Sequence, residues 1–148
     1  MMFGLPAQDE PIDQGDIIDD CPILDVHHFS VEQPELIQTR CSLRRVVVLT
    51  QTCDLANAKV SRILVGVVVE AASIVQQKLL KPSDVRGPVR AGRVYGWYFL
   101  PKSDEFRLPE AIVDLRQLNS VRLDVLTDLC RQGRRRARIQ PLYREHLA

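Results

Sequence analysis

The chain has almost no net charge: 20 basic residues against 19 acidic ones leave +1 over 148 residues. Global electrostatics therefore points to no class of partner. A zinc spacing is also lacking. The four cysteines, Cys21, Cys41, Cys53 and Cys130, form no C-x-x-C pair, so neither a metal site nor a cofactor is expected. His27 and His28 are adjacent, and on a strand they point to opposite faces rather than to one ion. The longest apolar run, ILVGVVVEAASIV (63–75), is broken by Glu70 and is too short to span a bilayer. The start, MMFGLPAQDEP, has neither the basic head nor the apolar stretch of a secretion signal. No internal repeat is visible. These absences lead to the expectation of a cytoplasmic protein with reduced thiols and no membrane association.

What is present is one domain's worth of chain, 45% apolar, large enough to bury a substantial core. Charge is unevenly spread. Asp9, Glu10, Asp13, Asp16, Asp19 and Asp20 crowd the first twenty residues, and Arg131, Arg134, Arg135, Arg136 and Arg138 lie within RQGRRRARIQ. Either the basic stretch contacts nucleic acid through Arg134, Arg135 and Arg136, or it pairs with the acidic end.

RRVVVLT (44–50) is β-branched and continuous, the pattern of a strand buried on both faces. VSRILVGVVVE (60–70) is a second strong strand. Between them QTCDLANAK has turn formers at Asp54 and Asn57, so the two runs read as a hairpin. GDII (15–18) starts a strand that CPIL continues after an acidic turn, with Pro22 marking an edge or bulge. VHHFSV (26–31) reads as a further strand. AASIVQQKLLK (71–81) changes to helical period. RVYGWYFLP (93–101) and AIVDLRQL (111–118) read as strands, the latter ending at Asn119 or Ser120. Asp124 begins a helix through Cys130, closed by Gly133. PLYREHLA begins another.

Strands follow one another without helical crossovers in the first half. This predicts an α+β chain, mainly β: a small bent antiparallel sheet or SH3-like barrel with two or three short helices. The expected organisation is a flexible acidic arm (1–14), a single β-barrel-like domain (15–133), and a basic connector leading into a helix start (134–148).

The order Gly15-Asp16-Ile17-Ile18, then RRVVVLT, then ILVGVVVE, then AIVDLRQLNSVRLD resembles the MazF/PemK family of toxin ribonucleases over roughly residues 12–130. QTCDL and YREHL also resemble segments of bacterial proteins without an assigned activity. The MazF/PemK resemblance implies an SH3-like barrel, metal-independent cleavage of single-stranded RNA, and a homodimer. It also implies an arginine at the head of the apolar strand, which Arg44 matches, with Arg45 as the other register. Where that family has Thr or Ser after the next strand, this chain has Glu70.

Attack of a ribose 2′-hydroxyl on phosphate needs a base and a cation. The catalytic candidates are Arg44, Thr52, Asp54 and Glu70. Thr52 is read as sharing a face with Thr50 on extended backbone. Cys53 is a candidate reactive thiol if a cation lies beside it, and otherwise a small residue in a turn. Trp97 is a stacking surface for bases or a buried strand aromatic. Arg45 and the 134–136 arginines complete a nucleic-acid set. The alternative is a non-catalytic binding module of a toxin–antitoxin or defence system, contacting an antitoxin, another protein or RNA.

Overall fold

Val46, Val47 and Val48 are all fully buried. Only a strand with cover on both sides can bury three consecutive side chains, because successive side chains point to opposite faces. The computed structural model, which describes residues 2–56, 60–76 and 96–141, places them in β3 (Gln38–Val48). The other strands are β1 (Phe3–Gly4), β2 (Asp16–His28), β4 (Arg62–Glu70), β5 (Trp97–Leu100), β6 (Ala111–Arg122) and β7 (Arg135–Ile139). The described helices are α1 (Thr52–Ala56), α2 (Ala71–Gln76) and α3 (Leu123–Arg131), with a 3-10 turn at Pro34–Leu36.

The strands form one sheet in the order β1-β7-β2-β3-β4-β6-β5. Every pairing is antiparallel. The fold is thus mainly β with short helices, as the run of uncrossed strands predicts. Of the two architectures expected, the open bent sheet is the one found, since β1 and β5 each pair on one side only among the described residues. One face buries Ile17, Val47, Val113, Ala137 and Ile139 with Phe3. The other buries Ile18, Val46, Val48, Ile63 and Val65 against Leu126 and Cys130 of α3. Leu126 and Cys130 are four residues apart, so both lie on the helix stripe facing the sheet. Gly133, at φ +78, turns the chain from α3 into β7.

Four expectations change. GDII, CPIL and VHHFSV belong largely to one strand, β2. The acidic pair Asp19-Asp20 makes an irregularity between Ile18 and Cys21, with Asp20 at φ +59, rather than a turn. AIVDLRQL continues past Asn119 and Ser120 to Arg122 because β4 pairs with it that far. The basic connector is in its first part a strand: Arg135–Ile139 pairs with both β1 and β2. The acidic arm is held down: Phe3 and Ile12 are buried, and Arg135 donates to the carbonyls of Ala7, Glu10 and Pro11 at 3.0, 2.6 and 3.2 Å. The helix read over 71–81 is present as α2 through Gln76, and its remainder lies outside the described residues, as do Tyr95 and most of PLYREHLA.

The β2–β3 pair is much longer than its neighbours. β7 reaches β2 only at Asp16–Ile18, and β4 reaches β3 only at Val46–Val48. Beyond Cys21 and Arg44 the two strands continue alone as a ribbon to the turn between His28 and Gln38.

Candidate functional site

Strand alternation decides what the base of this ribbon presents. Ile23 is buried on the α3 side of the sheet, so Asp25 lies on that side too; on β3, Arg44 and Ser42 follow Val46 by steps of two. These residues form one wall of a groove of about 550 Å³. Val67 and Val69 of β4 and Ile74 of α2 make its apolar lining, and Trp97, Ile112, Asp114, Gln117 and Asn119 of β5 and β6 the opposite wall.

Arg44 and Trp97, two residues singled out in the sequence, therefore meet in one groove. Arg44 is exposed and makes no ion pair among the described residues. The Trp97 ring packs beside Ala71, Ile74 and Ile112. The Arg116 guanidinium lies 5.3 Å from its centroid, a cation–π contact. Its Nε1 is buried with no hydrogen-bond partner among the described residues. Asp114 Oδ1 accepts from the Arg116 backbone N–H at 3.0 Å and from its Nε at 3.3 Å.

The remaining candidates are elsewhere. QTCDL is a helical turn: the N–H groups of Asp54 and Leu55 donate to the Gln51 carbonyl at 3.1 and 3.2 Å. Thr52 thus belongs to α1 and not to an extended segment alternating with Thr50. Thr50 Oγ1 instead accepts the Leu64 N–H at 2.8 Å, tying the turn to β4. Thr52 Oγ1 is buried without a partner among the described residues. Cys53 is exposed, with Sγ 3.8 Å from Gln51 Oε1. Asp54 is exposed. None of the three lines the Arg44 groove.

Glu70 lines a separate hollow with Arg45, Arg134, Arg136, Asp19 and Asp20. There the basic residues are neutralised. Asp19 accepts from Arg45 at 2.5 Å and from Arg136 at 2.6 Å, and Arg134 pairs with Asp20 at 3.4 Å. Arg135 is buried and bonds Asp16 at 2.9 Å, with Arg138 on the other Asp16 oxygen at 2.5 Å. Burial pushes the Asp19 carboxyl up, but hydrogen bonds and charge from Arg45 and Arg136 outweigh it and hold the group below its usual range. The pairing of acidic start with basic end is the arrangement found.

A larger concavity, about 710 Å³, lies by α3. Its arginines are also engaged: Arg62 with Ser120, Arg122 with Asp124, Arg131 with Asp128. Hydrogen bonds from Arg122 hold the Asp124 carboxyl below its usual range. No residue singled out for chemistry lines it, so the Arg44 groove is the better candidate.

Sequence reading missed Asp25, Ser42, Asp114, Gln117 and Asn119. For Ser42 a signal existed: two-residue alternation from Arg44. The others reach the groove through pairings between distant strands. Among the described residues no three His, Cys, Asp or Glu side chains converge as a metal site would require, and no helix is long and apolar enough to cross a membrane.

No protein-family model, curated protein or solved structure matches the chain.

Proposed function

We propose that this chain is a non-catalytic binding module whose Arg44 groove holds an extended segment of a protein partner. The observation that carries this reading is the company Arg44 keeps. It shares the groove with the carboxylates of Asp25 and Asp114, the amides of Gln117 and Asn119, and an apolar lining. It shares it with none of Thr52, Asp54 and Glu70, the residues that would supply a base. Two carboxylates beside one free guanidinium disfavour a chain of phosphates. Mixed donors and acceptors over an apolar lining suit a polypeptide, which offers N–H and C=O groups in alternation.

The second reading is a metal-independent ribonuclease of the MazF/PemK type. It is favoured by the unpaired state of Arg44 beside Trp97. One pair of assays separates the two. The full chain and its Arg44→Glu form are used to capture partners from the native cell, and both are incubated with single-stranded RNA. The binding reading expects a protein captured by the unaltered chain and lost with Arg44→Glu, and no cleavage. RNA cleavage by the unaltered chain that Arg44→Ala abolishes, with folding intact, would establish the ribonuclease.

A further inference from the structure

The face of the ribbon turned away from the groove has a different character. Pro22↔Leu43, Leu24↔Cys41 and Val26↔Thr39 are cross-strand pairs, and alternation puts all six on the side of the sheet that holds Ile17 and Val47. There the sheet has run out of neighbours. Leu24 is 67% exposed, Val26 62% and Leu43 63%. The opposite face of the same strands carries Asp25, Arg40, Ser42 and Arg44. The ribbon is thus amphipathic, polar toward the groove and apolar toward water.

We propose that this apolar face packs on the same face of a second copy of the chain, across a two-fold axis passing near Cys41. Three observations select a second copy. First, the six side chains include no Asp, Glu, Lys, Arg or His, so superposing the face on itself brings no like charges together. Second, the areas agree. A standard interface takes about 800 Å² from each partner, a little over half of it apolar. Leu24, Val26 and Leu43, with Phe29, Val31, Leu36 and Ile37 at the turn, are 44–83% exposed. At roughly 100 Å² for each fully exposed large apolar side chain, they offer on the order of 400 Å². Third, two strands without neighbours are marginal in water. A facing ribbon supplies the missing layer, about 10 Å away. The groove, on the other face, stays open.

The Leu24–Cys41 pair is the middle of the three, so a two-fold dimer centred there brings the two Cys41 thiols together. Cys53 is the other exposed cysteine, and Cys21 and Cys130 are buried. The experiment therefore uses the full chain with Cys53→Ser. Sedimentation equilibrium is expected to give a dimer at micromolar concentration. A bis-maleimide of about 10 Å reach is expected to join two chains through Cys41. The double variant Leu24→Lys, Leu43→Lys, with an unchanged circular dichroism spectrum, is expected to weaken the dimer at least about tenfold and abolish the cross-link. Arg40→Glu, on the polar face, is expected to leave both unchanged. Three results would overturn the proposal: a monomer up to on the order of 100 μM, a dimer unaffected by the double variant, or a dimer that Cys41 does not cross-link. In each case the face either is uncovered or belongs to a different molecule.

Discussion

The β2–β3 ribbon places two environments on one pair of strands. In its inner half, Ile17, Ile18, Val46, Val47 and Val48 are fully buried, with β7 and β4 pairing on the outer edges. In its outer half, Leu24, Val26, Cys41 and Leu43 have the same extended backbone and the same antiparallel pairing, yet all are exposed. The same holds for charge. Arginines over the inner half, Arg45, Arg135, Arg136 and Arg138, are each held by a carboxylate, whereas Arg44, where the halves meet, has no ion pair among the described residues. Apolar surface and charge are offset within the body of the sheet and remain available beyond it. That division assigns stability to one half and recognition to the other.

The largest test of this division is at Asp16. Its carboxylate is fully buried between Arg135 and Arg138 and also accepts the Asp13 backbone N–H at 3.0 Å. Asp16→Asn leaves the buried Arg135 guanidinium without its counter-charge. The expected loss is about 3–5 kcal/mol, read as a lowered urea midpoint. Loss below 1 kcal/mol would mean that the Arg135 and Arg138 contacts to backbone carbonyls suffice without the acid.

Next comes a matched pair of truncations. Ile18→Ala opens a cavity in a core contributed by β3, β4 and α3 and is expected to cost about 3 kcal/mol. Leu24→Ala, six residues along the same strand, is expected to change chain stability by less than about 0.5 kcal/mol in the monomer. Measured in the Leu43→Lys background, where the dimer is disfavoured, equal effects at the two positions would erase the distinction between the halves.

These differences also explain how far the sequence could be read. Strand identity was legible wherever β-branched runs dominate: RRVVVLT and ILVGVVVE are strands, and QTCDL joins them. The faces of Trp97 and Tyr98 followed from alternation, with Trp97 by α2 and Tyr98 against the opposite core. The continuity of β2 was hidden because Asp-Asp before Cys-Pro has the composition of a turn, while the chain accommodates it as a bulge. The Asp16–Arg135 bond spans 119 positions, so composition could propose an acidic–basic pairing without saying which residues meet. The groove was half legible. Arg44 and Trp97 were identifiable by type, but Asp25, Gln117 and Asn119 enter only through pairings that no local pattern encodes. Thr52, Asp54 and Glu70 were grouped with Arg44 by a resemblance to MazF/PemK proteins, and the sheet puts them outside its groove.

A smaller effect is expected on acidification. The Asp19 carboxyl is pushed up by burial but held below its ordinary value of 3.8 by Arg45 and Arg136. A depressed carboxylate contributes stability above its unfolded pKa and loses it as pH falls through the folded one. Stability should therefore fall as pH drops toward and below 3.8, and Asp19→Asn should remove that part of the slope. The amplitude is under about 1 kcal/mol, since water screens a partly exposed pair. An unaltered acid-unfolding curve for Asp19→Asn would place the slope on other carboxylates, Asp16 first among them.

The smallest stability effect is expected at Arg44, where the two halves of the ribbon meet. Its side chain is exposed, has no ion pair among the described residues, and lines the groove. Arg44→Ala should therefore move the urea midpoint by an amount equivalent to less than about 0.5 kcal/mol. Partner capture is expected to fall sharply in the same variant, because a free guanidinium facing a groove contributes charge-assisted hydrogen bonds to whatever enters it. Arg45→Ala provides the contrast: removing it takes one of two partners from Asp19 and should lower stability while leaving capture intact. If Arg44→Ala instead destabilised the chain as much as Arg45→Ala and capture were unchanged, Arg44 would belong to the body of the sheet. Recognition would then have to be sought on the apolar face of the ribbon alone.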